Sequence, residues 1–397
     1  MNILELETPC FIVCKEKLCE SIVSFKQSLN KYFPKNILSY SLKTNSFPYI
    51  LNQIQINDGY AEVVSHDEYE MAMACKFSKK NIVYNGPLKS QKTFIEALEN
   101  GAIVNIETKQ EISWLKYLSK DRRYNIGIRV NIDLATISLV DAKENEDYSR
   151  FGFSFENGEL GNAIKKIKKF PNVQLSGLHV HRTTASRSVN AYRKIAEYVA
   201  NITNELNLSL DYIDIGGGFY GIMENKPTFD EYCNEIRRGL EKCFDLSAIT
   251  IIVEPGNAII ASGMDFLSSV LDVKKIRNFY IITTDGSRND VDPFYKKKNY
   301  FNEFIRLNPF EAKKVDLQVI SGGTCLEYDK LFEMRDQSLL SVGDKILYKS
   351  VGAYTMALSP LFIRYFPAVY IEQGNEYELA RNKWSASMFF NICDTLK

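Results

Sequence analysis

The stretch Asn36-Ile37-Leu38-Ser39-Tyr40-Ser41-Leu42-Lys43-Thr44-Asn45 decides how the chain reads. Ile37, Leu38 and Leu42 mark a short buried strand, and Lys43 stands where it ends, before small polar residues and a turn. Desolvation lowers the pKa of such a lysine, so that part of it is the free amine, a nucleophile toward carbonyls. A lysine there either marks where a strand meets water or forms a Schiff base with an aldehyde, and the rest of the chain must decide.

Outward from this strand the pattern alternates. Residues 9–13 are apolar, and Leu18, Ile22, Phe25, Leu29 and Tyr32 recur on one helix face. Strands then read at 60–65, 81–86, 102–107, 125–131, 173–181, 210–216 and 250–254, each preceded by a helical pattern. With residues 36–43 that makes eight strand units over about 240 residues, the size of a β/α barrel. The fold expected is α/β, an eight-stranded TIM-like barrel. After residue 265 the rhythm changes: 267–273, 280–284, 317–321, 345–351 and 368–372 read as strands without intervening helices. The expected domains are a barrel over 15–264 and a β-rich domain made from 1–14 with 265–397.

Composition narrows the class. The 397 residues are 45% hydrophobic and 25% charged with a formal net charge of zero, ordinary for a soluble globular protein. No basic stripe suggests nucleic acid, and no apolar run approaches membrane-spanning length. The first seven residues carry acids and lack the pattern of a signal peptide, which reads as a cytoplasmic protein. The eight cysteines match no common zinc spacing and read as reduced thiols.

Active sites of such barrels gather at the carboxyl ends of the strands. Those ends carry Lys43, Glu62 and Ser65 with His66 beside it, Asn85 and Gly86, Arg129 and Asn131, His179 and His181, Gly216, Gly217 and Gly218, and Glu254 through Asn257. Consecutive glycines either make a plain turn or let backbone amides wrap a phosphate. Glu254 points inward by strand alternation, and a buried carboxylate wants a partner: a neighbouring base such as Arg129, or a protonated pyridine nitrogen. His179 and His181 share a face; with His66 they could ligate a metal in a hydrolase, or one could lie flat on an aromatic ring. A Schiff-base lysine, a glycine phosphate loop, a carboxylate for a pyridine nitrogen and a stacking histidine together describe pyridoxal 5'-phosphate.

At this point the chain resembles the diaminopimelate/ornithine decarboxylase family, β/α-barrel enzymes of the fold-type III pyridoxal-phosphate class. The resemblance spans about residues 8–369 and rests on Tyr40-Ser41-Leu42-Lys43-Thr44-Asn45, Glu62-Val63-Val64-Ser65, Asn85-Gly86-Pro87, Ser149-Arg150-Phe151-Gly152, Gly177-Leu178-His179-Val180-His181, Asp214-Ile215-Gly216-Gly217-Gly218-Phe219, Glu254-Pro255-Gly256, Gly322-Gly323-Thr324-Cys325 and Gly352-Ala353-Tyr354. It implies that Lys43 binds the cofactor aldehyde, that His181 stacks on the ring and that Glu254 meets the pyridine nitrogen. It implies further that Gly216, Gly217, Gly218, Gly256 and Tyr354 hold the phosphate and that Arg129 supports the ring. Cys325 resembles the cysteine such enzymes insert from a partner subunit, which implies a homodimer with shared active sites and a small amino-acid substrate.

Departures from the family pattern carry their own expectations. Asn257 stands where the family has arginine, so Arg182 or Arg187 is expected to supply the missing phosphate charge, and Thr184 replaces the usual serine. Asp292 precedes Pro293 where diaminopimelate decarboxylases place arginine; an acid there would repel a carboxylate and suit a cation. Asp292, Glu327 and Asp329 are therefore expected to favour a basic or diamino substrate over diaminopimelate itself. The rivals are an amino-acid racemase on the same barrel, a cofactor-carrying protein of the class, which would lack the second domain, and a metal-dependent hydrolase.

Overall fold

β1 (Asn36–Ser41) pairs with β2 (Tyr60–Ser65), and the sheet runs on through β3 (Ile82–Leu88), β4 (Ile103–Ile106), β5 (Tyr124–Asn131), β6 (Val173–His179), β7 (Tyr212–Asp214) and β8 (Thr250–Val253). All eight are parallel to their neighbours, and β8 returns to β1 with Val253 opposite Leu38, so the sheet closes into the expected barrel. The structure is a computed structural model and describes residues 2–138, 140–142, 149–182, 184, 186–308 and 313–393. It divides into two units, Glu20–Ile259 and Met1–Cys19 with Ile260–Lys397.

The barrel strands are nearly continuous apolar runs because helices cover their outer faces while side chains fill the inside. The helices begin where hydroxyl side chains can take the orphan amides of a first turn. Ser90 caps Gln91–Glu99, Thr108 caps Lys109–Trp114, Ser188 caps Val189–Glu205, and Thr228 forms a capping box with Glu231 on Phe229–Leu240. Inside the barrel the ring of Tyr212 occupies space that two glycines leave free. A Cβ on Gly177 would stand 2.1 Å from that ring, and one on Gly127 would stand 2.2 Å from its hydroxyl. The polar rim residues stand beyond this plug on the carboxyl side of the strands.

Register places the rim. Arg129 on β5 lies opposite His179 on β6, and His179 lies opposite Asp214 on β7. Ser41 on β1 lies opposite Glu62 on β2. One observed strand is much shorter than its apolar run in sequence: β7 covers three residues, because the chain turns away at Ile215 into the glycines. Most of the polar loop at 141–149 falls outside the described residues, but Asp141 is buried and accepts the Ser138 hydroxyl at 2.6 Å and that of Ser186.

In the second unit the strand Cys10–Cys14 lies at the centre of a mixed sheet, antiparallel to Met264–Ile276 and parallel to Ala368–Gln373. The strands read from sequence after residue 265 each fall on an observed strand. Asn302–Ile305, Lys330–Ser338 and Glu376–Arg381 were not legible; the last two are charged and largely exposed, as edge strands tend to be. Among the described residues no helix is long and apolar enough to cross a membrane.

Candidate active site

Lys43 sits in the 3-10 turn Leu42–Thr44 that ends β1, with its side chain about one-third exposed at 38%. Its Nζ lies 3.1 Å from Oε2 of Glu62, a carboxylate that is 1% exposed. The same Glu62 oxygen accepts the Ser41 hydroxyl at 2.5 Å, and its other oxygen accepts Nδ2 of Asn85 at 3.2 Å. Asn85 also donates to Oε1 of Glu254, so one amide bridges the acid beside the lysine to the acid across the barrel. Asn105 donates to Asn85 Oδ1 at 2.8 Å and to Asp214 at 3.2 Å, while its own carbonyl accepts the Tyr212 hydroxyl at 2.7 Å. Eight side chains from six of the eight strands or their ends are thus joined in one network, buried except at Lys43.

Glu254 and Asp214 form the acidic end of that network. Both are buried, and like charges so close in a poorly solvated site cannot both ionise. Burial first, and then the Glu254 charge and hydrogen bond, push Asp214 far above the usual carboxylate range. Asp214 is therefore the member of the pair driven toward the protonated form. The Asp214 carboxyl also accepts the Gly216 amide at 3.0 Å, which fixes the entry to the glycine turn. His179 places Nε2 3.5 Å from Oε2 of Glu254, and neither of its ring nitrogens has a hydrogen-bond partner among the described residues. Burial, and then the Arg129 charge, keep His179 neutral.

His181 lies against the turn of Gly216, Gly217 and Gly218. Its Nδ1 accepts the Gly217 amide at 3.1 Å, and a Cβ on Gly216 would stand 2.3 Å from its own Cβ. Gly216 and Gly218 have φ of +77° and +93°, and a Cβ on Gly217 would meet the Glu254 carbonyl at 2.2 Å, so side chains are excluded here by both backbone and space. Burial, then the charges of Arg129 and Lys43, lower His181 to about 3, which keeps the imidazole neutral. Arg129 is held by Glu107 at 2.9 Å and lies over the Phe151 ring at 4.5 Å.

The barrel thus brings Lys43, Arg129, His181, Gly216, Gly217, Gly218 and Glu254 to one rim. Gly256 belongs there too, since a Cβ on it would stand 2.0 Å from the Thr44 hydroxyl. Thr184 is buried and accepts the Arg187 amide at 3.0 Å. Asn257 begins the short helix Asn257–Ile260 and carries no charge. Two of the three glycine amides are already engaged, by Asp214 and His181, so the turn offers fewer free donors than three glycines suggest.

The other expected site residues belong to the second unit. Tyr354 is half-buried with φ of +55°, and Cys325 and Glu327 are exposed. Asp292 is 4% exposed and accepts Arg288 Nη2 at 3.0 Å and Nε at 3.1 Å, along with the Lys297 amide at 2.9 Å. Its charge is neutralised locally, which corrects the expectation that it would repel a carboxylate. Asp329 is likewise taken up, by the Thr324 hydroxyl at 2.6 Å and the Arg288 amide at 2.9 Å, and clasps the loop that carries Cys325.

Asp214, Asn105 and Glu107 were not singled out as site residues from sequence. The signal was present: each is polar at the inward-facing end of an otherwise apolar strand. The expected metal alternative drew on His66, His179 and His181. The structure instead groups His179 with Asp214 and Glu254, whose ligand atoms lie within 4.8 Å of one another, and His66 pairs with Asp67 at 3.3 Å.

Comparison with known proteins agrees with this arrangement. A family model described as "Pyridoxal-dependent decarboxylase, pyridoxal binding domain" matches residues 19–261. A diaminopimelate decarboxylase from Aquifex aeolicus is 24% identical over 363 residues, covering 89% of this chain and 83% of the relative. One from Helicobacter pylori is 25% identical over 365 residues, covering 89% and 87%. The crystal structure of diaminopimelate decarboxylase from Helicobacter pylori complexed with L-lysine superposes with a TM-score of 0.80 at 23% identity, covering 98% of this chain and 97% of that one. The arginine decarboxylase of Paramecium bursaria Chlorella virus superposes at 0.76 with 17% identity, covering 92% and 96%. A lysine at the end of β1, a carboxylate past β8 and a glycine turn past β7 are what a pyridoxal ring and its phosphate require, and the family match covers the barrel that presents them. The chain belongs to the pyridoxal-dependent decarboxylases, which use pyridoxal 5'-phosphate to remove the carboxylate of an amino acid.

Proposed function

We propose that this enzyme decarboxylates a basic or diamino α-amino acid, with diaminopimelate among the candidates. The observation that carries decarboxylation rather than racemisation is Glu254. It is a buried carboxylate at the rim whose neighbour Asp214 is driven toward the protonated form, and as a carboxylate it would hold a proton on a pyridine nitrogen. Pyridoxal phosphate, when bound, supplies an electron sink for the pair left by departing carbon dioxide, and the sink is strongest with that nitrogen protonated. Neutral His181 would lie against the ring, and Lys43 would hold the aldehyde carbon and return a proton to the substrate side. Glu62, oriented by hydrogen bonds from the Ser41 hydroxyl and the Asn85 amide, lies directly against Lys43 Nζ, where its carboxylate stabilises the ammonium.

The substrate class rests on the relatives, several of which are diaminopimelate decarboxylases, and on the viral arginine decarboxylase of the same fold. With Asp292 paired to Arg288, nothing in that loop argues against a distal carboxylate. Exposed Cys325 and Glu327 suit a site completed by a second copy of the chain, and a homodimer is part of this reading. The test is carbon dioxide release from meso-diaminopimelate, L-lysine, L-ornithine and L-arginine with the cofactor-loaded enzyme. Release from one of these supports the reading. Inversion of the α-carbon with no gas evolved would replace it with a racemase.

A further inference from the structure

A phosphate monoester brings close to two negative charges at neutral pH, and a glycine turn with only part of its amides free does not balance them. Gly216 and Gly217 have given their amides to Asp214 and His181, and Asn257 offers no charge. The cations around the turn differ in what already holds them. Arg129 is committed to Glu107, Arg193 to Glu235 and Glu197, and Arg182 is already engaged. Arg187 pairs with no carboxylate among the described residues.

We propose that Arg187 is the cation that receives the phosphate of pyridoxal phosphate in this chain, an assignment that rests on the cofactor reading above. Its surroundings are built to hold it beside the turn. Arg187 has φ of +51°, an uncommon conformation for a long side chain. Both its backbone groups are pinned: its amide donates to Thr184 Oγ1 at 3.0 Å, and its carbonyl accepts the Tyr232 hydroxyl at 2.6 Å. The guanidinium lies over the ring of Tyr220, 5.2 Å from its centroid, two residues past Gly218. From Tyr232 the contacts lead straight back to the turn. Tyr232 packs against Tyr192 with ring centroids 4.9 Å apart, and the Tyr192 hydroxyl donates to the Gly217 carbonyl at 3.0 Å. A Cβ on Gly218 would stand 3.0 Å from that same hydroxyl.

The electrostatics agree: the charge of Arg187 reaches both Tyr192 and Tyr232, where it opposes the rise that burial imposes on the phenols. Among the described residues Asp141 and Glu231 are acids in the same neighbourhood; the first is taken up by the hydroxyls of Ser138 and Ser186, the second by the amide and hydroxyl of Thr228. A half-buried arginine with no carboxylate partner among the described residues, fixed on an aromatic platform beside an anion-binding turn, is poised for an anion that arrives with the cofactor.

The experiment compares uptake of pyridoxal phosphate and of pyridoxal, which lacks the phosphate, by absorbance titration of wild type, Arg187→Gln and Arg187→Lys. Arg187→Gln is expected to bind pyridoxal phosphate on the order of 10- to 100-fold more weakly while binding pyridoxal as wild type does. Arg187→Lys should recover most of the loss. Lys226 lies exposed over the same Tyr220 ring at 5.0 Å, so Lys226→Gln is the control for general positive charge and should change neither titration. Tyr220→Leu, which removes the platform and keeps the charge, should give a smaller loss confined to the phosphorylated aldehyde; it also serves if Arg187→Gln does not fold. Equal binding of pyridoxal phosphate by wild type and Arg187→Gln overturns the assignment, as does a loss that is the same for both aldehydes or is shared by Lys226→Gln. A wild type that takes up neither aldehyde overturns the cofactor reading itself, an outcome distinct from any of these.

Discussion

Nζ of Lys43 and Oε2 of Glu62 lie 3.1 Å apart across β1 and β2, and the acid is almost fully buried while the amine faces the open rim. An opposite charge at that distance favours the ammonium over the free amine. Glu62→Gln removes that counter-charge, and borohydride-fixable uptake of pyridoxal phosphate should extend to lower pH. Turnover should fall on the order of 100-fold, because the acid that shares the lysine proton is gone. Lys43→Ala should show no fixable absorbance and no carbon dioxide release. A Lys43→Ala enzyme with intact turnover would remove the lysine from the mechanism.

Asp214 and Glu254 are unequal partners, and substitution should expose the difference. Asp214 is held protonated, so Asp214→Asn keeps the neutral charge state and loses mainly the contact to Asn105, a cost of about 1 kcal/mol in denaturant unfolding. Glu254→Gln removes the anion and should cut carbon dioxide release by about 100- to 1000-fold. Steady-state assays and urea melts of both variants check this; a larger catalytic loss in Asp214→Asn would invert the assignment of the proton.

His181 is lowered to about 3 in the fold against 6.5 for a free imidazole. A depressed histidine contributes stability that is fully present above pH 6.5 and is lost as the pH falls toward 3, because the unfolded chain takes up the proton first. The wild-type protein should lose stability across that window, and His181→Asn should lose less. Urea midpoints measured from pH 7 downward to the onset of acid unfolding give the two slopes.

Lys89 is buried beneath the rim, where it binds the carbonyls of Gly86 and Asn105 at 2.6 and 3.2 Å and Glu111 at 3.2 Å. Removing one partner of a buried pair leaves the other uncompensated, so Lys89→Met should cost about 3–5 kcal/mol. Burial raises Glu111 and Lys89 opposes that rise, so the double variant Lys89→Met with Glu111→Leu should be less destabilised than Lys89→Met alone. Equilibrium unfolding of the two variants measures the coupling.

Cys325 is exposed, and the dimer reading has it act in the site of a second copy. Inactive Lys43→Ala and inactive Cys325→Ala proteins, unfolded and refolded together at equal amounts, should then regain about a quarter of wild-type activity, since half the dimers are mixed and each mixed dimer has one intact site. No recovery, or activity of Cys325→Ala alone at the wild-type level, argues against sharing.

Local signals made the barrel readable. Apolar runs of strand length, separated by amphipathic helical periods, need no long-range information, and each later fell on a parallel strand. Lys43, His181, the glycines and Glu254 were legible because each is a residue type out of keeping with the end of an apolar strand. Asn105 and Asp214 escaped because a single polar residue inside such a strand has meaning only through what faces it across the barrel, here Asn85 and Glu254. Asp292 differs: its position before Pro293 is visible in the sequence, but whether its charge stays free depends on the local helical turn that brings Arg288 onto it.

By itself, the sequence determined the eight strand-helix units, the β-rich second half and the chemical inventory of a pyridoxal phosphate site, since periodicity and residue type are properties of the chain alone. Tertiary structure decided which charges remain available. The closed register sets Glu62 against Lys43 and Asp214 against Glu254. It also leaves Arg187 on Tyr220 beside the glycine turn. The physical reason is that desolvation and Coulomb interaction act between groups brought within a few ångströms, and closing the barrel brings together residues more than a hundred positions apart.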